Sequence, residues 1–229
     1  MLSRRQLLSA SLGVPLLVAS KRASGAVTSR ASFIQHGVRT SKGFALTFHG
    51  AGPSALTRDM LAIATHLNVK LTVFAVGSWV ASNESLVRDM KRAGHELANH
   101  TLTHPALRKV NRAGVAIEIN GCAQALRVAT GSIGAWFRPS GTPTPTTLIL
   151  EEAVKAGYPT VVGYDVDPRD YQDPGSKLVI SRTRAGLQPG SIVSLHLGHR
   201  GTVDALESIV VAARKDGLEP VTVSALLQN

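Results

Sequence analysis

From residue 43 onward, short apolar runs alternate with stretches whose apolar positions recur every three or four residues and close at glycine. The runs "GFALTFH" (43–49), "KLTVFAVG" (70–77), "HELANH" (95–100) and "AWFRP" (135–139) read as strands, as do "PTVVGYDV" (159–166), "SIVSLHLG" (191–198) and "PVTVSA" (220–225). The first intervening helix has Leu56, Met60, Ile63 and Leu67 on one face. The second, in "SNESLVRDMKRAGH", is capped by Ser82 or Asn83, turns Leu86 and Met90 inward and stops at Gly94. Further helices are predicted near 112–129, near 146–156 ending at Gly157, near 176–187, and over 203–215 ending at Gly217. The strands are β-branched and apolar on both faces, which indicates a parallel sheet covered on both sides. Repeated βα units of this length make either an open doubly wound sheet or a barrel. The first strand is followed by "HGAGPS", with no lysine and no G-x-G-x-x-G spacing, which argues against a nucleotide-binding open sheet.

The polar residues favour the barrel. His49 ends the first strand, His100 and His104 follow the third in "NHTLTHP", and Arg138 ends the fourth. Asp165, Asp167 and Asp170 follow the fifth in "YDVDPRDYQDP", and His196 lies near the end of the sixth. In a βα barrel these strand ends ring one mouth, where such barrels do their chemistry. His100 and His104 form an H-x-x-x-H pair whose neutral imidazoles suit zinc or a similar divalent ion, with a carboxylate or third histidine completing the protein ligands and water in the open position.

These motifs carry a resemblance that runs from about residue 43 to the C-terminus. "HELANHTLTHP", "FRPSG", "DVDPRDY" and "SLH" resemble, in order, the second to fifth motifs of the polysaccharide deacetylases, the NodB-homology or carbohydrate esterase 4 family. The resemblance implies an α/β fold of the distorted (β/α)7 barrel type and a divalent metal, zinc by preference, used to hydrolyse acetyl groups on sugars. It implies His100 and His104 as metal ligands and His196 as the general acid that protonates the leaving amine, held and tuned by Asp170. It also implies that Arg138 pairs with the catalytic base. Tyr171, in the family's usual tryptophan position, is a candidate for the wall of the sugar cleft, with Trp79 and Asp167; Trp136 is more readily core.

The first motif departs from the family. Where members read Thr-Phe-Asp-Asp-Gly-Pro, with a base and then a metal ligand, this chain reads Thr47-Phe48-His49-Gly50-Ala51-Gly52-Pro53. Three readings of His49 follow. It is a third zinc ligand with His100 and His104; or it is the base, leaving the metal on two side chains and water; or chemistry is lost and the mouth only binds saccharide. The first is preferred, because Gly50 removes the metal carboxylate and some group must replace it. Arg138, without the family's aspartate, is left to pair with Asp165 or Asp167, or to face an anionic group of the substrate. His199, in "LGHR", has no motif match. His36, His66 and His95 lie away from the inferred rim and receive no role.

The N-terminus changes the charge argument. Arg4 and Arg5 precede a short apolar stretch and "ASGA", which resembles a twin-arginine export signal over residues 1–26, too short for a good membrane span. Residues 27–42 read as a linker and 43–229 as the deacetylase-like domain. Removing Arg4, Arg5, Lys21 and Arg22 lowers the formal net charge from +10 to +6, a moderate positive charge suited to an anionic wall polymer. No arginine-rich run or basic-aromatic motif points to nucleic acid. Cys122 is the only cysteine, so no internal disulfide forms, and its place in a helical pattern makes it a small buried hydrophobe. The expectation is an exported, metal-dependent hydrolase that removes acyl groups from a cell-wall or related carbohydrate; the alternative is a saccharide-binding protein on the same fold.

Overall fold

The computed structural model describes residues 30–228; the expected export signal lies outside them. Seven strands form: β1 (Ser32–Ile34), β2 (Gly43–Gly50), β3 (Thr72–Ala75), β4 (Glu96–Asn99), β5 (Thr160–Val162), β6 (Ile192–His196) and β7 (Glu219–Val221). Eight α-helices accompany them among the described residues: α1 (Ser54–His66), α2 (Gly77–Ser82), α3 (Glu84–Arg92), α4 (Arg112–Thr130), α5 (Thr147–Lys155), α6 (Ser176–Gly186), α7 (Arg200–Lys215) and α8 (Val223–Leu227). All strand ladders are parallel, in the order β4-β3-β2-β6, with β7 also on β2 and β1 on β5. The ladders alone do not close a ring. Isolated bridges at Asn99–Phe137, Phe137–Val161 and Val166–Val193 link the two sheets, which makes the barrel a distorted one. No helix among the described residues is long and apolar enough to cross a membrane.

Three expectations need correction. Residues 32–34 are not linker: they pair with Thr160–Val162 and belong to the barrel wall. "AWFRP" is not an extended strand, because Pro139 has no N–H to continue a ladder; residues 136–138 contribute one rung between β4 and β5. "PVTVSA" splits after Val221, where the Thr222 hydroxyl accepts from Ala225 N and starts α8.

Strand alternation sorts β2 into two faces. Phe44, Leu46 and Phe48 are buried outward among the helices with Val193 and Leu195, and each such side chain stabilises by about 1.5–3 kcal/mol relative to exposure. Ala45, Thr47 and His49 therefore face the barrel axis. On neighbouring β6 the inward set is Ile192, Ser194 and His196, in register with them: Thr47 beside Ser194 and His49 beside His196. The register alone makes the last pair of imidazoles neighbours.

Candidate active site

A cavity of about 470 Å³ opens at the C-terminal ends of the strands, and His49, His100, His104, Arg138, Asp167, Tyr171 and His196 all line it. Asp170 lies beneath, on a short 3-10 turn (Asp170–Gln172) flanked by Arg169 and Asp173 in left-handed backbone conformations. One Asp170 oxygen lies 2.7 Å from His196 Nδ1, and the other accepts from His196 N at 2.8 Å and the Thr202 hydroxyl at 2.6 Å. The expected Asp170–His196 pair is thus formed.

Arg138 is 2% exposed. Its Nε donates to Val162 O at 3.0 Å and Nη2 to Gly163 O at 2.8 Å, while Nη1 donates to the Thr47 hydroxyl at 2.8 Å and to His49 Nε2 at 3.1 Å. The guanidinium lies over the Phe74 ring, 3.9 Å from its centroid, and 5.4 Å from that of Tyr164. Burial pushes its pKa down to about 9, which still leaves it charged at neutral pH. The expected partners do not meet it. Asp165 is turned away to Arg39 at 2.8 Å, Ser191 and Ile192 N, and Asp167 bonds Arg169 N.

The loop after β4 poses the two rim histidines through strained backbone, with Thr101 at φ +70° and His104 at φ +63°. Asn99 Oδ1 accepts from Thr101 N, and the Thr101 hydroxyl donates to Ser140, which hold the turn. His100 Nδ1 donates to Arg138 O at 2.8 Å. Its Nε2 therefore carries the lone pair, and that atom is buried without a hydrogen-bond partner among the described residues. A ring held through its Nδ1–H with the other nitrogen bare suits a metal ligand. The His104 ring lies 4.9 Å away, so two imidazoles fit a divalent ion.

His49 does not complete the set, which corrects the preferred reading. Its Nε2 is taken by Arg138 and its Nδ1 lies 2.8 Å from His196 Nε2. Its ring also stacks on His100, centroids 4.4 Å apart and planes within 17°. Lone pairs lie in the ring plane, so nearly parallel stacked rings do not converge on one ion. Among the described residues no three His, Cys, Asp or Glu side chains are grouped to hold a metal. His49→Ala is therefore expected to leave zinc affinity within a few-fold, whereas His100→Ala lowers it more than about tenfold. Equal losses by calorimetry would restore His49 as a ligand.

His49 and His100 are held neutral. Burial, then His100, Arg138 and the other histidines, push the pKa of His49 well below its ordinary value; burial and His104 do the same to His100. Trp79 is not part of the cleft. It is 8% exposed within the core, and its indole N–H donates to Gly52 O at 2.8 Å, tying down the loop after β2. Tyr171 is exposed at the mouth, its ring 5.3 Å from that of His196. Tyr164 and Thr47 were missed. Thr47 follows from alternation back from His49, but nothing local marked Tyr164, whose phenol burial and Asp167 hold protonated. His199 pairs with Asp173 at 2.8 Å beside the site.

Acid–base side chains gathered at the C-terminal mouth of a parallel barrel form a cleft of the kind in which barrel enzymes do their chemistry. The chain belongs to the polysaccharide deacetylase family, whose model matches residues 36–161. It is 34% identical over 197 residues to a chitooligosaccharide deacetylase of Bradyrhizobium sp. (strain ANU 289), covering 76% of this chain and 85% of that one. It is 31% identical over 196 residues to a peptidoglycan-N-acetylglucosamine deacetylase of Bacillus cereus, covering 80% and 87%. The crystal structure of the Bc1960 peptidoglycan N-acetylglucosamine deacetylase superposes with a TM-score of 0.82 at 26% identity, over 87% of this chain and 94% of that one. Deacetylases of this family are generally metal-dependent.

Proposed function

We propose that the protein is an exported carbohydrate deacetylase that removes the acetyl group from N-acetylglucosamine units of a chitin-like or cell-wall polymer. The observation that carries this reading is the Asp170-held His196 facing a cavity lined by a buried arginine and two rim imidazoles. His100 and His104 would hold a divalent ion such as zinc; when bound it would polarise the acyl carbonyl and acidify a water. Asp170 would keep one proton on His196 Nδ1, so that Nε2 takes the proton released by the attacking water and then passes it to the departing nitrogen. Arg138 supplies fixed positive charge beside the cavity, and Tyr171 offers a ring face on which a sugar can stack. Export is supported by Arg4 and Arg5 ahead of the short apolar stretch.

The test is acetate release from N-acetylglucosamine oligomers and from peptidoglycan by the purified chain with added zinc. Release from either substrate is expected; its absence from both ends the deacetylase reading. A second reading, saccharide binding without turnover, is favoured by the lack of a third ligand among the described residues. Glycan binding with no acetate released would select it.

A further inference from the structure

The contacts between Arg138, His49, His196 and Asp170 have a direction. A guanidinium only donates, so Arg138 Nη1 donates to His49 Nε2 across 3.1 Å. His49 must then carry its proton on Nδ1, and it donates to His196 Nε2 across 2.8 Å. His196 in turn carries its proton on Nδ1 and donates to Asp170 Oδ1 across 2.7 Å. Two neutral imidazoles thus bridge a cation to a carboxylate. Both ends are fixed: Arg138 is 2% and Asp170 1% exposed, and each has further partners in Thr47, Val162 O and Gly163 O, or Thr202 and His196 N. The middle is fixed by strand register, which sets His49 beside His196. A proton on His196 Nε2 would confront the His49 N–H donor to donor, so the chain of bonds forbids it while His49 stays in place. An aspartate at position 49 would do the reverse. It could only accept, from Arg138 on one side and from an Nε2–H of His196 on the other.

We infer that His49 is a positioning residue that couples Arg138 to His196, fixes the Nδ1–H tautomer of both imidazoles, and caps His196 Nε2 until substrate displaces it. The inference takes its reaction from the deacetylase reading above, but its geometry does not depend on turnover. Histidine side-chain nitrogen spectra of the isotope-labelled, chelator-treated chain at neutral pH test it directly. Both His49 and His196 are expected as Nδ1–H tautomers. In His49→Ala the His196 Nε2 signal is expected to move toward that of a free lone pair. His49→Asn, whose amide can donate in place of Nδ1–H, is expected to restore it. Finding His196 as the Nε2–H tautomer in the unaltered protein overturns the inference even if neither variant folds, and so does an unmoved Nε2 signal in a folded His49→Ala. The two readings fail separately. The expected tautomers without acetate release end the deacetylase reading and support the coupling; acetate release with an Nε2–H His196 keeps the enzyme and removes the coupling.

Discussion

Asp170→Asn is expected to lower turnover on an N-acetylglucosamine oligomer, the substrate proposed above, by about two to four orders of magnitude, with KM changed only a few-fold. The aspartate has two acceptor oxygens and serves three donors: His196 N, His196 Nδ1–H and the Thr202 hydroxyl. Asparagine has one acceptor oxygen. Whichever way its amide turns, an NH2 faces donors that need an acceptor, and His196 is driven toward the Nε2–H tautomer or out of position. Losing these buried bonds also costs about 1–3 kcal/mol of stability, so kcat must be compared at a temperature where both proteins are folded. A fall in kcat smaller than about threefold would remove His196 from the proton transfer.

Below pH 6.5 the chelator-treated protein loses stability steeply. Burial holds His100 well below its ordinary pKa. Burial and Lys70 hold His95, whose Nδ1 accepts from Leu71 N, down to about 4. The unfolded chain protonates these rings as pH falls through 6.5 while the folded chain does not, so protons favour unfolding. Their contribution is therefore intact above pH 6.5 and drains away as pH falls toward the lowered folded values. Each ring costs about 1.4 kcal/mol per pH unit in that window, so the two together cost about 3. His49 adds to the slope in the same direction. Denaturant midpoints measured between pH 7 and 5 check this; a flat profile would mean that the rings are protonated in the fold.

The chain's periodicity was enough to read the βα repeat, and much of the rim was legible because His49, His100, Arg138 and His196 sit at or near the ends of apolar runs. His196 and Asp170 were readable as a pair because both lie in short motifs. His49 was legible in place but not in role. Its role is decided by Arg138, 89 residues away, and by His196, 147 residues away, neither of which marks the local stretch. Trp79 misled for a related reason. Position after a strand suggests the mouth, but α2 starts at Gly77 and carries the indole back into the core beneath Gly52. β1 has three residues and no period of its own, and it exists only through its pairing with β5.

The narrow gap between β2 and β3 limits which side chains the first motif can carry. Gly50 stands in register with Ala75, and a Cβ there would lie 3.0 Å from Ala75 Cα and 3.1 Å from Val73 Cγ1. Two residues on, a Cβ at Gly52 would lie 2.5 Å from Gly198 Cα. Backbone now occupies the room that side chains at these positions would need. An aspartate placed at position 50 would require the neighbouring strand to shift by a few tenths of an ångström. Position 50 therefore resists a carboxylate for steric reasons that are separate from the chemistry at position 49.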